Sequence, residues 1–141
     1  MTGGLYVDSS VLLLAVGGPH PLRDPCREVI AYSARTGTAL HCSVEGGQEF
    51  LFHRIRRVGS EQGIREFDVV DAMVVWHDFT HDVLRAARSL VAQGHARGRD
   101  AVHAATALGA GFGQLVSCDA DFDGIPGLAR LDPVHDERLR G

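Results

Sequence analysis

Two short apolar runs, Leu5-Tyr6-Val7 and Leu115-Val116-Ser117-Cys118, each end directly on an acid, Asp8 and Asp119. Runs of this length and character predict buried strands. Between them the pattern is mostly helical. Residues Leu22 to Thr36, Val44 to Val58, Glu61 to Met73, His81 to Gln93 and Asp100 to Gly109 carry apolar side chains at three- and four-residue spacing, with Gly or Pro nearby as breakers. Short β-prone pieces at Ala39 to Cys42 and Val74 to Trp76 complete an alternating β and α order. That order predicts a three-layer α/β fold, with a short central parallel sheet and helices on both faces. Ligands of such sheets bind beyond the carboxyl ends of the strands, where parallel neighbours would project Asp8 and Asp119 into one site.

With 141 residues, no internal repeat and no Pro/Ser-rich linker, one domain over residues 1–141 is expected. The longest apolar run, Val11 to Val16, is too short to cross a bilayer. The amino terminus lacks the basic and apolar regions of a signal peptide, and the three cysteines form no CxxC pair; both favour a reduced, cytoplasmic setting. The net charge of -4 has the wrong sign for binding nucleic acid by bulk electrostatics, so such binding would need a local patch or a metal. All 14 basic residues are arginine. The absence of lysine removes Schiff-base chemistry and the P-loop, and it disfavours aspartyl-phosphatase and receiver-domain readings of Asp8.

Four acidic segments remain. Asp8, followed by Ser9-Ser10 and a helix-like stretch, reads equally as an N-cap or as a site acid. Asp100 opens the alanine-rich helix Asp100-Ala101-Val102-His103-Ala104-Ala105-Thr106-Ala107, where a carboxylate also suits the free amides and the dipole. Asp119-Ala120-Asp121-Phe122-Asp123-Gly124 starts like a calcium loop, but the twelfth position is Arg130, and Pro126-Gly127 oppose the exiting helix that such a loop requires. In Ser43-Val44-Glu45-Gly46-Gly47-Gln48-Glu49, the two glutamates share one helical stripe, and spacing does not choose between them. Clustered carboxylates suit hard cations such as magnesium, and their mutual repulsion argues for a cation among them.

Taken in order, Tyr6-Val7-Asp8-Ser9-Ser10-Val11-Leu12, Ser43 with Glu49 six residues on, Arg99-Asp100-Ala101-Val102-His103-Ala104-Ala105-Thr106-Ala107 and Ser117-Cys118-Asp119-Ala120-Asp121-Phe122 resemble PIN domains, specifically the VapC-type toxins of bacterial toxin-antitoxin pairs. The resemblance spans nearly the whole chain. It implies a metal-dependent endoribonuclease that hydrolyses RNA phosphodiester bonds with activated water. It further implies one acidic pocket of Asp8, Glu49, Asp100 and Asp119 holding Mg2+ or Mn2+, with Asp8 and Asp100 foremost among the ligands. Ser117 would support the site by hydrogen bonding, and Asp121 would assist. Gly46-Gly47 depart from good helix formers near Glu49, so Glu45 stays open as the fourth acid. The implied partners are RNA and a cognate VapB-type antitoxin, in a homodimer and a heterotetramer or larger. The apolar helices Pro21 to Ala31 and Val44 to Val58 would be surfaces for an antitoxin helix or for homodimerisation, and the antitoxin would reach the acids with an arginine or lysine. The alternative is a catalytically silent PIN-like module that binds RNA or a partner protein.

Other residues carry plainer expectations. His77 and His81 lack the glutamate of HExxH, so no zinc site is expected there. His103, one turn beyond Asp100, could approach the pocket but reads first as a packing residue, and Trp76 reads as core. Arg54, Arg56 and Arg57 form the best basic patch, suited to phosphates or to a solvated helix end.

Overall fold

The computed structural model describes residues 3–139. The elements are β1 (Leu5–Tyr6), α1 (Ser9–Val16), α2 (Arg23–Thr36), β2 (Leu40–Ser43), α3 (Val44–Val58), α4 (Ser60–Met73), β3 (Val74–His77), α5 (His81–Ala92), α6 (Gly98–Gly109), β4 (Gln114–Val116) and β5 (Ala129–Leu131). Single 3-10 turns follow at Ala120–Phe122 and Glu137–Leu139. β1, β2 and β3 pair in parallel in that order, as do β4 and β5. A parallel bridge between Val7 and Val116, with Asp8 N–H donating to the Val116 carbonyl at 2.9 Å, joins the two sets. The strand order is therefore β3-β2-β1-β4-β5. Direction of winding reverses between β1 and β4, which makes that seam the switch point where an open α/β sheet receives its ligand.

Side chains alternate across the sheet, as the two-residue period of a strand requires. Val7 and Val116 face a core built with α1 to α4, through Val11, Leu12, Val29, Phe50 and Val70. Tyr6 and Leu115 face a second core made with α5 and α6, through Ala87, Leu90, Ala101, Ala104 and Phe112. The three layers expected from the β and α order are present. The fifth strand, Ala129–Leu131, was not anticipated: it is three residues long and follows the turn-forming Gly124-Ile125-Pro126-Gly127. No helix among the described residues is long and apolar enough to cross a membrane.

Gly46 and Gly47, poor helix formers in isolation, lie inside α3 and are buried. A Cβ on Gly46 would stand 2.6 Å from Cys42 Sγ, and one on Gly47 would press on the Trp76 ring at 3.0 to 3.3 Å. Close packing of α3 on β2 and β3 thus outweighs the propensity cost of about 1 kcal/mol per glycine. Gly63 serves the crossing of α3 and α4 in the same way, since an added Cβ would lie 2.8 Å from Ile55 N and 2.9 Å from Ile55 Cα. Backbone atoms cannot yield as a flexible side chain can. Gly63→Ala is therefore expected to destabilise by about 1–3 kcal/mol from overpacking, despite its better helix propensity. A thermal melt checks this; an unchanged or raised midpoint would show that the crossing relaxes freely.

Candidate active site

Each acid is delivered to the sheet's carboxyl edge by a different local device. Asp8 follows β1 and occupies the N-cap position of α1, yet its side chain makes no capping bond. Its Oδ2 instead accepts from Ser10 Oγ at 2.6 Å and from Ser117 Oγ at 3.0 Å, with the residue only 7% exposed. Of the two readings open in the sequence, capping by the Asp8 side chain is not what these bonds serve. Ser117 follows β4, is fully buried, and also accepts from the Asp119 N–H at 3.0 Å. One serine hydroxyl thus ties the acid after β1 to the acid-bearing loop after β4.

Asp100 is the third residue of α6, whose start lies two residues earlier than its periodicity suggests. Asp119 caps the short turn that follows, accepting from the Asp121 N–H at 2.8 Å. Carboxylate oxygens from Asp100, Asp119 and Asp121 lie within 4.8 Å of one another, an arrangement that could hold a metal ion. Burial pushes the Asp100 carboxyl up to about 6, and repulsion from Asp119, Asp8 and Asp121 adds to it, against a smaller opposing effect of His103. The closest trio therefore includes Asp121, expected only to assist. Asp8 lies beside the trio, near enough to repel Asp100.

Glu49 is placed by α3 and held from two sides. His103 Nε2 lies 2.7 Å from its Oε1, and Arg99 Nη1 lies 3.6 Å from its Oε2. Burial disfavours its charge, but His103 and Arg99 more than offset this and lower its pKa. His103 itself is buried, with Nδ1 2.9 Å from Ser43 Oγ. Ser43 Oγ already accepts from the Gly46 N–H as the N-cap of α3, so its own proton is free to go to Nδ1, leaving Nε2–H to donate to Glu49. Burial opposes the imidazolium, yet Glu49, Asp8 and Asp100 together raise the His103 pKa. Packing alone does not describe this histidine: it links β2, α3 and α6 through hydrogen bonds. The only sequence signal for it was its three-residue spacing from Asp100.

Among the described residues the Glu45 side chain makes no hydrogen bond or ion pair, and it lines a neighbouring cleft of about 370 Å³ together with Gln48, Glu49, Phe52, His53, Arg56 and Arg99. Arg54 does not belong to a basic patch; it is 8% exposed and bonded to Glu66. His77 pairs with His41, whose Nδ1 is 2.8 Å from His77 Nε2, while His81 stands exposed at the start of α5. Among the described residues neither joins a cluster able to hold a metal. Trp76 is half-buried, stacks on Phe67 with centroids 6.2 Å apart, and donates Nε1–H to Asp71 at 2.7 Å.

Comparison with known proteins agrees with this architecture. The chain is 43% identical to Ribonuclease VapC7 of Mycobacterium tuberculosis over 53 residues, 38% of this chain and 37% of that protein. To Ribonuclease VapC13 of the same organism it is 28% identical over 130 residues, 90% of this chain and 98% of that protein. Among solved structures, VapBC2 from Rickettsia felis bound to a promoter DNA fragment superposes with a TM-score of 0.72 at 18% identity, over 91% of this chain and 97% of that one. VapC20 of M. tuberculosis, described as a sarcin-ricin loop cleaving toxin, gives 0.69 at 16% identity, over 84% and 92%. These structures share the fold. The family model for the PIN domain matches residues 5–128, and the chain belongs to the PIN domain family.

Proposed function

We propose that this chain is a metal-dependent endoribonuclease, the toxin of a VapBC-type toxin-antitoxin pair. The observation that carries the proposal is the gathering of Asp8, Asp100, Asp119 and Asp121 at the β1/β4 switch point. Carboxylates alone form this donor set, which fits a hard divalent cation, Mg2+ or Mn2+, better than zinc. Asp100, Asp119 and Asp121 would hold it, with Asp8 completing the acidic surround. When bound, such an ion supplies charge stabilisation at the phosphoryl oxygens and acidifies a water, the two requirements of phosphodiester hydrolysis.

The remaining residues orient and bind. Ser117 and Ser10 fix the Asp8 carboxylate, so its position costs no rearrangement when substrate arrives. His103 fixes Glu49 at the edge of the pocket, and Arg99 and Arg56 offer cations to the phosphates of an RNA strand in the adjoining cleft. A second, apolar groove of about 230 Å³, lined by Val44, Leu51, Phe52, Phe67 and Trp76, suits the apolar face of an antitoxin helix. From there an arginine or lysine of the antitoxin would neutralise the acids. As the toxin of such a pair it would act on RNA in the cytoplasm.

Purified protein, free of any partner, is incubated with total bacterial RNA in Mg2+, in Mn2+ and in EDTA, beside folded Asp8→Asn and Asp100→Asn variants. Cleavage that needs metal and both acids is the expected result. A folded wild type that cuts no RNA with either metal would overturn the proposal in favour of a silent module that binds RNA or a partner.

A further inference from the structure

The three cysteines are free thiols, and two of them meet: Cys26 Sγ and Cys118 Sγ are 3.7 Å apart, joining α2 to the loop after β4 across 92 positions of sequence. Cys26, on the inner face of α2, is fully buried in the core, whereas Cys118 is partly exposed. Cys42, the third, is buried elsewhere, against α3. Cys118 lies between Ser117, which holds Asp8, and Asp119 of the acidic trio.

We propose that Cys26 and Cys118 are a redox modification site, forming a reversible intramolecular disulfide with peroxide-class oxidants and so displacing the loop that carries Asp119. The exposed partner reacts first. Cys118 sulfur attacks one peroxide oxygen, the O–O bond breaks, and water leaves as Cys118 becomes a sulfenic acid. Cys26 sulfur then attacks the Cys118 sulfur, the S–S bond forms, the S–O bond breaks, and a second water leaves. Two thiols and one hydrogen peroxide give one disulfide and two waters, with the sulfurs oxidised and the peroxide reduced.

A disulfide needs its sulfurs about 2.05 Å apart, so the pair must close by about 1.7 Å. Cys26 is fixed within a packed helix. The Cys118 loop is the softer side, held on its upstream flank by the Ser117 N–H to Leu131 carbonyl bond at 3.1 Å and by Arg130 Nη1 to the Ser117 carbonyl at 3.0 Å. Movement therefore falls on Cys118 and Asp119, drawing Asp119 from Asp100 and Asp121.

The effect on cleavage rests on the proposed nuclease function; the disulfide itself does not. Full-length protein is treated with hydrogen peroxide, unfolded in guanidinium chloride, alkylated with iodoacetamide and weighed intact, with and without prior dithiothreitol. Peptide mapping identifies which cysteines are labelled. The expected result is loss of two hydrogens, alkylation of Cys42 alone, and recovery of all three thiols after dithiothreitol. Cys26→Ala should abolish the disulfide while leaving basal cleavage unchanged. RNA cleavage by the oxidised wild type should fall at least about tenfold, the size of effect seen when support for a metal ligand is disturbed, and return on reduction. If all three thiols survive, or linkage is between chains or through Cys42, the site is refuted. A correct disulfide with cleavage unchanged refutes the coupling. Absence of cleavage even in reduced protein would refute the nuclease reading, and the thiol count would still decide the modification. Should Cys26→Ala fail to fold, the oxidised and reduced wild type still decide both.

Discussion

Asp100→Asn is expected to lower metal-dependent RNA cleavage on the order of a thousandfold, as when charge stabilisation at the reacting centre is removed, while raising the melting temperature of the metal-free protein at neutral pH. The two effects have one cause. Burial and three neighbouring carboxylates lift the Asp100 carboxyl from its ordinary value near 3.8 to about 6. A carboxyl whose folded pKa lies above its unfolded one binds its proton more tightly in the folded state. It therefore weakens the fold above about pH 6, and that penalty is relieved as pH falls from about 6 towards the unfolded value. Asparagine mimics the protonated form at every pH and relieves the penalty permanently. A cation does the same for the wild type by neutralising the cluster.

Thermal melts of both proteins between pH 5 and 8 (~3 units, a span that brackets the shifted group), with and without Mg2+, test the whole chain of cause. Metal-free wild type should gain stability relative to Asp100→Asn as pH drops through about 6. Mg2+ should raise the wild-type midpoint at neutral pH and leave the variant nearly unmoved. Mg2+ affinity of the wild type should weaken about tenfold for each pH unit below that value, since proton and cation compete for one carboxylate. A variant less stable than the metal-free wild type at neutral pH would mean that Asp100 makes a structural bond outweighing the repulsion, and the site would need a different account.

The acids legible in the sequence were those whose signal is local. A strand ending on Asp8, a strand ending on Asp119 and a helix opening near Asp100 are each visible within ten residues, and a parallel sheet then brings them together. His103 was read as packing because its partners Ser43 and Glu49 lie 60 and 54 residues away, and no periodicity reports such a contact. Asp121 stood next to Asp119 as a helper; its place in the trio depends on the 3-10 turn that reverses the chain between them. Gly46 and Gly47 looked like poor helix formers because propensity is a property of exposed helices. Against Cys42 and Trp76, absence of a side chain becomes the requirement. The strand Ala129–Leu131 escaped notice for the opposite reason: its pairing with β4 forms it, and three residues carry too little pattern of their own. Glu45 and Glu49, four apart on one stripe, separate only when a neighbour chooses. His103 and Arg99 bind Glu49, and among the described residues the Glu45 side chain has no such partner.

Arg54 gives the second large effect. In the sequence it is one of three arginines at a helix end, and an exposed pair there would contribute less than about 1 kcal/mol. In the structure it turns between α3 and α4, donating from Nε at 3.2 Å and Nη2 at 3.1 Å to the two oxygens of Glu66, with side chains only 10% and 16% exposed. Truncation to alanine leaves the Glu66 carboxylate with little water and no partner, which costs about 3–5 kcal/mol. For a domain of this size the midpoint should fall by roughly 10 °C. Replacing both residues, Arg54→Met with Glu66→Leu, removes the stranded charge and should recover most of the loss. Arg65, paired with Glu61 on the same hairpin but 59% and 88% exposed, provides the contrast: Arg65→Ala should change stability by less than about 0.5 kcal/mol. Chemical denaturation of the three variants beside wild type measures all of this. If Arg54→Ala and Arg65→Ala cost the same small amount, water reaches Glu66 once the guanidinium is gone, and burial of the pair is not what holds α3 to α4.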